Sequence, residues 1–184
     1  MHARHRKPRL AAPGCLFALL LACSPSAFAD GRVPAHDVPA PAAAVVTIGG
    51  DVATPLRLDA AALAKLPRKQ VEASDHGKVG HWEGVALADL LRDADVPLGE
   101  ALRGPNLSLY VRVSAADGYR AVYALAELDP GFRDGDVILA DRRDGKPLDA
   151  KEGPFRIIAV GEKRPARWVR QVVAIDVLRA PAQP

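Results

Sequence analysis

The sequence has 184 residues, with 25 Lys and Arg against 22 Asp and Glu, for a formal net charge of +3. Four of those basic residues and none of the acidic ones lie in residues 1–29, so the remainder carries 21 against 22, or −1. The basic balance belongs to the N-terminal segment and does not indicate nucleic-acid binding. Both cysteines, Cys15 and Cys23, also lie there. The rest of the chain therefore cannot form a disulfide, a cysteine-ligated zinc site, an iron–sulfur cluster or a cysteine nucleophile.

Residues 1–29 have the pattern of a secretory signal peptide. A basic stretch over residues 4–9 precedes an apolar run over residues 15–22, and Ala27-Phe28-Ala29 forms a small-residue cleavage site. The apolar run is too short to span the bilayer's hydrocarbon core of roughly 30 Å. We expect cleavage after Ala29 and export to the periplasm.

An alternative to this cleavage is lipidation. Residues Leu20-Leu21-Ala22-Cys23 resemble a bacterial lipobox, in which Cys23 would carry the lipid and anchor the protein to the membrane. The basic stretch contains no Arg-Arg pair, whereas exports that cross folded with a cofactor usually carry a twin-arginine signal. We therefore expect the domain to cross the membrane without a cofactor.

After the signal peptide, residues 30–43 predict a flexible linker because they are rich in Pro and Ala and show no apolar periodicity. A single domain is expected over residues 44–180. In its first half the β-branched run at 44–48 stops at Gly49-Gly50, and Asp59 suits the N-cap of a helix that ends before Pro67. The predicted elements are strands over 44–48 and 69–74 and helices over 60–66 and 86–94.

The second half of the domain predicts mostly strands linked by hairpins. Residues 107–114 alternate apolar and polar side chains, so one face of that strand is expected to be buried. Asp117-Gly118 and Asp144-Gly145 supply turns. The other predicted strands cover 119–123, 136–140, 155–160 and 174–178, with a short helical turn after Ala166. This order favours an α+β fold with short helices over a doubly wound parallel sheet.

Several blocks of the domain resemble the molybdopterin-binding domain of sulfite-oxidase-type oxidoreductases. They follow one another in the family's order and span residues 44–178. The blocks are Trp82-Glu83-Gly84-Val85 leading into a Leu-rich helix, Ser114-Ala115-Ala116-Asp117-Gly118-Tyr119, Asp144-Gly145-Lys146-Pro147-Leu148, Gly153-Pro154-Phe155-Arg156 and Arg167-Trp168-Val169. The resemblance implies the mixed-sheet, barrel-like fold of that family in a small single-domain member.

The resemblance also implies a cofactor site, but the sequence lacks its metal ligand. In the family a cysteine thiolate ligates molybdenum, and it would be expected between residues 74 and 82; this chain has Ser74-Asp75-His76-Gly77-Lys78 there. The family's histidine before Gly-x-Pro-x-Arg is replaced by Lys151-Glu152. Oxygen and nitrogen side chains do not supply the soft thiolate bond that this metal takes. We expect no bound cofactor, although family resemblance allows molybdopterin, and we assign no catalytic or metal-ligating residue.

Four basic residues match or adjoin the family's positions for gripping the anionic pterin phosphate. They are Arg156, Arg167, Lys163 and Arg164, and they are the predicted cofactor-binding residues. A guanidinium holds a phosphate through two parallel hydrogen bonds. The alternative is that these are surface charges paired with Glu152 and Glu162. Arg156 stands out because it lies among strand hydrophobics and needs a partner if it is buried.

Other polar and aromatic groups have simpler explanations. Asp75, His76, His81 and Glu83 could bind zinc or copper, as in a metal carrier, but their spacing fits no strong template and a solvated loop is favoured. Aromatic side chains at Trp82, Trp168, Tyr119 and Tyr123 suit core packing better than a pocket lining. Asp117 suits a turn-shaping role better than that of a general base.

Two functions from different classes follow. The first is an exported member of the molybdopterin-binding oxidoreductase family, active in periplasmic redox chemistry only if it holds a pterin without the usual thiolate. The second is a cofactor-free binding module that keeps the fold and recognises a periplasmic protein or a small anion. Fold alone does not decide between them, and the missing cysteine favours the second.

Overall fold

The computed structural model describes residues 44–181, and these residues form twelve strands and helices with short 3-10 turns between them. The strands are β1 Val45–Gly50, β2 Leu56–Asp59, β3 Lys69–Asp75, β4 Lys78–Ala86, β5 Leu109–Ala115, β6 Arg120–Ala124, β7 Val137–Arg143, β8 Lys146–Pro147, β9 Arg156–Ala159 and β10 Val172–Arg179. The helices are α1 Ala60–Leu63 and α2 Leu87–Asp93. The 3-10 turns cover Gly99–Ala101, Gly104–Ser108, Leu125–Leu128 and Pro165–Arg167.

The first sheet has five strands in the order β2-β1-β10-β5-β6. Its neighbours are antiparallel except β1 and β10, which run parallel with Thr47 opposite Ala174. Because β10 lies in the middle, the last strand of the domain joins the first hairpin to the β5–β6 hairpin.

The second sheet has the order β3-β4-β7-β8, and β9 also pairs with β7. All of its pairings are antiparallel. The β4–β7 ladder shifts register between Glu83 and Gly84. A Cβ at Gly84 would lie 2.1 Å from the carbonyl oxygen of Leu139, so only glycine lets the two strands approach this closely.

One hydrophobic core contains side chains from both sheets and from α2, which makes residues 44–181 a single mainly-β domain. Val111 and Ile175 come from the first sheet, and Val85 and Ile158 from the second. Every residue of β9 is buried. Any polar side chain on β9 is therefore buried in the interior.

The predicted mixed fold with short helices is confirmed. The predicted elements differ from the observed ones mainly at their ends, but the strands β2, β4 and β8 were not predicted. The Asp59 carboxylate accepts a hydrogen bond from the Ala62 N–H at 2.7 Å, as an N-cap does. The helix expected over 60–66 ends at Leu63, because the amides of Lys65 and Leu66 bond three residues back and tighten the chain toward Pro67. The predicted signal peptide and linker lie outside the described residues. None of the helices in residues 44–181 is long and apolar enough to cross a membrane.

Candidate functional site

The β3–β4 hairpin delivers a carboxylate to the interior. Its turn consists of His76 and Gly77, with φ values of 50° and 81°. Two-residue hairpin turns with both residues in the left-handed region match the twist of the strands they join. The turn leaves Asp75 at the end of β3 with its side chain only 8% exposed, while the imidazole of His76 is 76% exposed.

The guanidinium of Arg156 on β9 is the partner of that carboxylate. Arg156 Nη2 donates to Asp75 Oδ2 at 3.0 Å, and Arg156 Nη1 donates to Glu152 Oε1 at 2.7 Å. The Arg156 side chain is 1% exposed and that of Glu152 is 18% exposed. A buried charge persists only when it is paired and hydrogen-bonded, and here two carboxylates do this for one arginine.

Two tryptophans enclose the same guanidinium. Arg156 Cζ lies 5.0 Å from the centroid of Trp82 and 5.8 Å from that of Trp168. The two rings meet edge to face at 84°, with centroids 6.3 Å apart. Arg143 lies 4.6 Å from the Trp82 centroid. These distances are within the range of cation–π attraction, so the aromatic residues hold Arg156 in place as well as filling the core.

Arg167 belongs to a separate ion cluster. Its Nε donates to Glu162 Oε1 at 2.8 Å, and its two terminal nitrogens donate to the Glu127 carboxylate at 3.1 Å each. The hydrogen bond to Glu127 is the main reason that the pKa of Arg167 is raised above its ordinary value. Burial desolvates Glu127 and opposes its ionisation, but the hydrogen bond from Arg167 prevails and lowers the pKa of Glu127.

The same cluster includes a buried phenol. Arg167 Cζ lies 4.4 Å from the Tyr123 ring centroid, and the Tyr123 hydroxyl donates to the Arg167 carbonyl at 2.6 Å. Burial, assisted by the nearby Glu162 charge, raises the pKa of Tyr123 far above its ordinary value. Arg167 also donates to the Val122 carbonyl at 3.1 Å. Arg167 therefore links the edge strand β6 to the loop on which Arg167 itself lies.

Lys163 and Arg164 are exposed and have different surroundings from the two arginines. They line a surface cleft of about 630 Å³ between the β3–β4 hairpin and the loop that leads to Trp168. The hairpin contributes Ser74, His76 and Gly77 to this cleft. The structure thus divides the four predicted binding residues among a buried cluster, a half-buried cluster and an open cleft.

The other candidates from the sequence also separate in space. No three of the His, Asp and Glu side chains within residues 44–181 are grouped so that they could hold a metal ion. Asp75 faces Arg156, and Glu83 pairs with Arg68. The Asp117 carboxylate accepts from the Tyr119 N–H at 2.9 Å, which is the expected turn-shaping bond.

Sequence reasoning missed the ion cluster at Arg68. Its Nε donates to Glu83 Oε1 at 3.0 Å, and its Nη1 donates to Asp141 Oδ2 at 3.2 Å. Desolvation works against the charge, yet hydrogen bonds to Asp141 raise the pKa of Arg68 above its ordinary value. The cluster borders a second cleft of about 470 Å³. Arg68 and Asp141 lie 73 residues apart in sequence, and Arg68 and Glu83 lie 15 apart, so no local pattern indicates either pairing.

Comparison with known proteins settles the family. Residues 75–184, more than half of the chain, match the family model described as the oxidoreductase molybdopterin binding domain. The chain belongs to that family. The crystal structure of the sulfane dehydrogenase SoxCD from Paracoccus pantotrophus superposes with a TM-score of 0.58 at 17% identity. The match covers 73% of this chain and 38% of that one, so it supports the fold and spans well under half of SoxCD. No curated protein matches the sequence.

The residues at the centre of this family member do not fit a thiolate-held molybdenum cofactor. Residues 44–181 contain no cysteine, and Asp75 occupies the stretch where the sequence resemblance expects one. Arg156, at the position where the sequence resemblance expects a phosphate-binding arginine, is buried and paired with two carboxylates of the chain itself. An anionic phosphate at Arg156 would have to displace Asp75 or Glu152. The donor set is therefore that of an internal ion pair.

Proposed function

We propose that this chain is an exported binding domain of the molybdopterin-binding oxidoreductase family that recognises a small anionic ligand without molybdenum chemistry. The observation that carries this proposal is the internal neutralisation of Arg156. A charge already satisfied by Asp75 and Glu152 gains little from an incoming phosphate. The family's fold is retained, while the arginine expected to bind the anion is neutralised by carboxylates of the chain itself.

The open cleft is the proposed binding surface. Within residues 44–181 no carboxylate lies within ion-pair distance of Lys163 or Arg164, although Glu162 is adjacent in sequence. The Glu162 carboxylate faces Arg167 instead, at 2.8 Å. Among the described residues the two cations beside it therefore have no carboxylate partner, and positive charge at the mouth of a cleft attracts anions.

A charge-reduced variant tests the cleft. Isothermal titration with inorganic phosphate and pyrophosphate at low ionic strength is expected to give saturable binding to the wild type. Lys163→Ala combined with Arg164→Ala is expected to abolish it. Lys65→Ala combined with Arg57→Ala is the matched control, because it removes the same charge from two exposed residues that do not line the cleft. Equal weakening by both double variants would show that only net charge matters and would refute the site.

A redox function with a bound pterin is the second candidate. Membership of the family and the size of the cleft beside Ser74 and His76 favour it. Elemental analysis for molybdenum, tungsten, zinc and copper, with a pterin fluorescence assay, tests it on protein purified from its own periplasm. About one atom of molybdenum or tungsten per chain together with pterin would support the redox function over the binding function. Absence of both would leave a partner protein or a free anion as the ligand to seek.

Export is part of the proposal and has its own test. The pattern of residues 1–29 supports cleavage after Ala29, which would give a mature protein that starts at Asp30. Lipidation would instead give an N-terminus at Cys23 and a membrane-bound protein. Intact mass measurement of the protein recovered from periplasmic and membrane fractions distinguishes the two. A chain that retains residues 1–22 in the cytoplasm would contradict export.

A further inference from the structure

The buried cluster around Arg156 contains three N–H groups without an acceptor and one carboxylate oxygen, Asp75 Oδ1, without a donor. The three N–H groups are Trp82 Nε1, Trp168 Nε1 and Arg156 Nε. They belong to side chains that contact one another, and the two indoles are 0% and 4% exposed. Buried donors without acceptors are costly and call for an explanation at each site where they occur. A guanidinium that lies between aromatic rings and beside unpaired N–H groups is suited to binding an anion.

The two carboxylates of this cluster reach Arg156 by different routes. Glu152 lies four residues before Arg156, on the segment that leads into β9. Asp75 lies 81 residues away and enters from the tip of the β3–β4 hairpin. Asp75 Oδ2 accepts from Arg156, while Asp75 Oδ1 has no hydrogen-bond partner among the described residues and lies 3.7 Å from His76 Nε2. The Asp75 carboxylate is thus held by one strong contact, as a bound anion would be.

We infer that Asp75 is an internal ligand that fills an anion site built on Arg156, Trp82 and Trp168, and that a small carboxylate anion of the formate class binds there once the Asp75 carboxylate is removed. The site persists without Asp75 because β9, Glu152 and the two rings still fix the guanidinium. Truncation at the Cβ leaves a space the size of one carboxylate beside Nη2. Formate matches that space in both size and charge.

This site is separate from the cleft of Lys163 and Arg164. Its ligand in the native protein is the chain's own Asp75, so the inference stands whether or not the cleft binds phosphate. The two are told apart by the double variant Lys163→Ala with Arg164→Ala. That variant would change phosphate binding at the cleft and leave the effect of formate on an Asp75 variant unchanged.

The experiment is rescue of Asp75→Ala by formate, followed by thermal unfolding with tryptophan fluorescence. Loss of the buried carboxylate is expected to lower the unfolding midpoint by on the order of 10 °C. Sodium formate, compared with sodium chloride at equal ionic strength, is expected to raise the midpoint of Asp75→Ala in a saturable manner, because a ligand that binds only the folded state stabilises it by mass action. The wild type should respond equally to both salts.

Two further variants make the test specific. Asp75→Asn also loses the charge but fills the space with an amide, so it should be destabilised without rescue by formate. Asp176→Ala removes a carboxylate that pairs with Arg112 at 2.9 Å near the surface, and it too should show no formate effect. If Asp75→Ala does not fold in buffer, the same comparison is made by refolding from urea with each salt, with recovery expected only in formate. Equal behaviour in formate and chloride, in either format, overturns the inference.

Discussion

Replacing Arg156 with Met tests how much the internal ion cluster contributes to the stability of the domain. Met keeps an unbranched stem about as far as the position of Nε and removes the charged end of the side chain. The change leaves two carboxylates whose side chains are 8% and 18% exposed, those of Asp75 and Glu152, without their partner. Breaking a buried pair in this way costs about 3–5 kcal/mol. Arg143 lies 4.0 Å from Glu152 and compensates part of its charge, so we expect a loss near the lower end of that range.

The loss is large against the total stability of a domain this size, which is about 5–15 kcal/mol. Urea denaturation followed by the fluorescence of Trp82 and Trp168 measures it. Arg112→Met is the control, because its pair with Asp176 is 39% and 25% exposed and is expected to contribute less than about 1 kcal/mol. Adding Asp75→Asn and Glu152→Gln to Arg156→Met should recover part of the loss. A loss for Arg156→Met no greater than that for Arg112→Met would refute the reasoning.

Three other predictions concern strand packing and the Arg167 cluster. Gly84→Ala should lower the free energy of unfolding by about 3 kcal/mol or more in urea denaturation, because the added Cβ would lie 2.1 Å from a backbone atom. Gly49→Ala is the control, since its added Cβ would have its nearest neighbour at 4.0 Å, and it should change the free energy of unfolding little. The pKa of Glu127 is lowered from its ordinary value of 4.5, so the ionised carboxylate stabilises the fold above about pH 4.5. The difference in stability between the wild type and Glu127→Gln should therefore narrow as the pH falls from about 6 to about 3. Tyr123→Phe should cost about 1 kcal/mol at neutral pH through its lost hydrogen bond to Arg167. Because the pKa of Tyr123 is raised, the wild type should also lose stability above about pH 10, whereas Tyr123→Phe should not. Thermal melts of both proteins at neutral pH and above about pH 10 would show this difference. An equal alkaline loss of stability in both proteins would contradict the prediction.

The strands were predictable where burial imposes a period on the sequence. Residues 107–114 alternate because one face of β5 packs on the core, and β5 is found at Leu109–Ala115. The strand predicted over 136–140 is found as β7, Val137–Arg143. The parallel pairing of β1 with β10 was not predictable, because it joins segments more than 120 residues apart and leaves no local signal.

The candidate site was predictable in its residue types and not in its pairings. The sequence indicated that Arg156 needs a partner in a buried strand, and it left Glu152 open as one. It did not indicate Asp75, because that contact depends on how the β3–β4 hairpin lies against β9. Whether the four basic residues bind a cofactor remains a prediction. Their separation into three surroundings depends on tertiary contacts that charge patterning does not encode.

Because β10 lies in the middle of the first sheet, that sheet cannot be completed until β10 has been synthesised. Of the strands in this domain, a ribosome makes β1 first and β10 last, and residues 51–171 lie between them. At typical rates of synthesis β1 waits roughly ten seconds for its parallel neighbour. During that interval β5 also lacks the strand that joins its hairpin to β1. The domain cannot close early in its synthesis, and a chain that stays open until its final strand is made is compatible with passage through a translocation channel as an unfolded polymer.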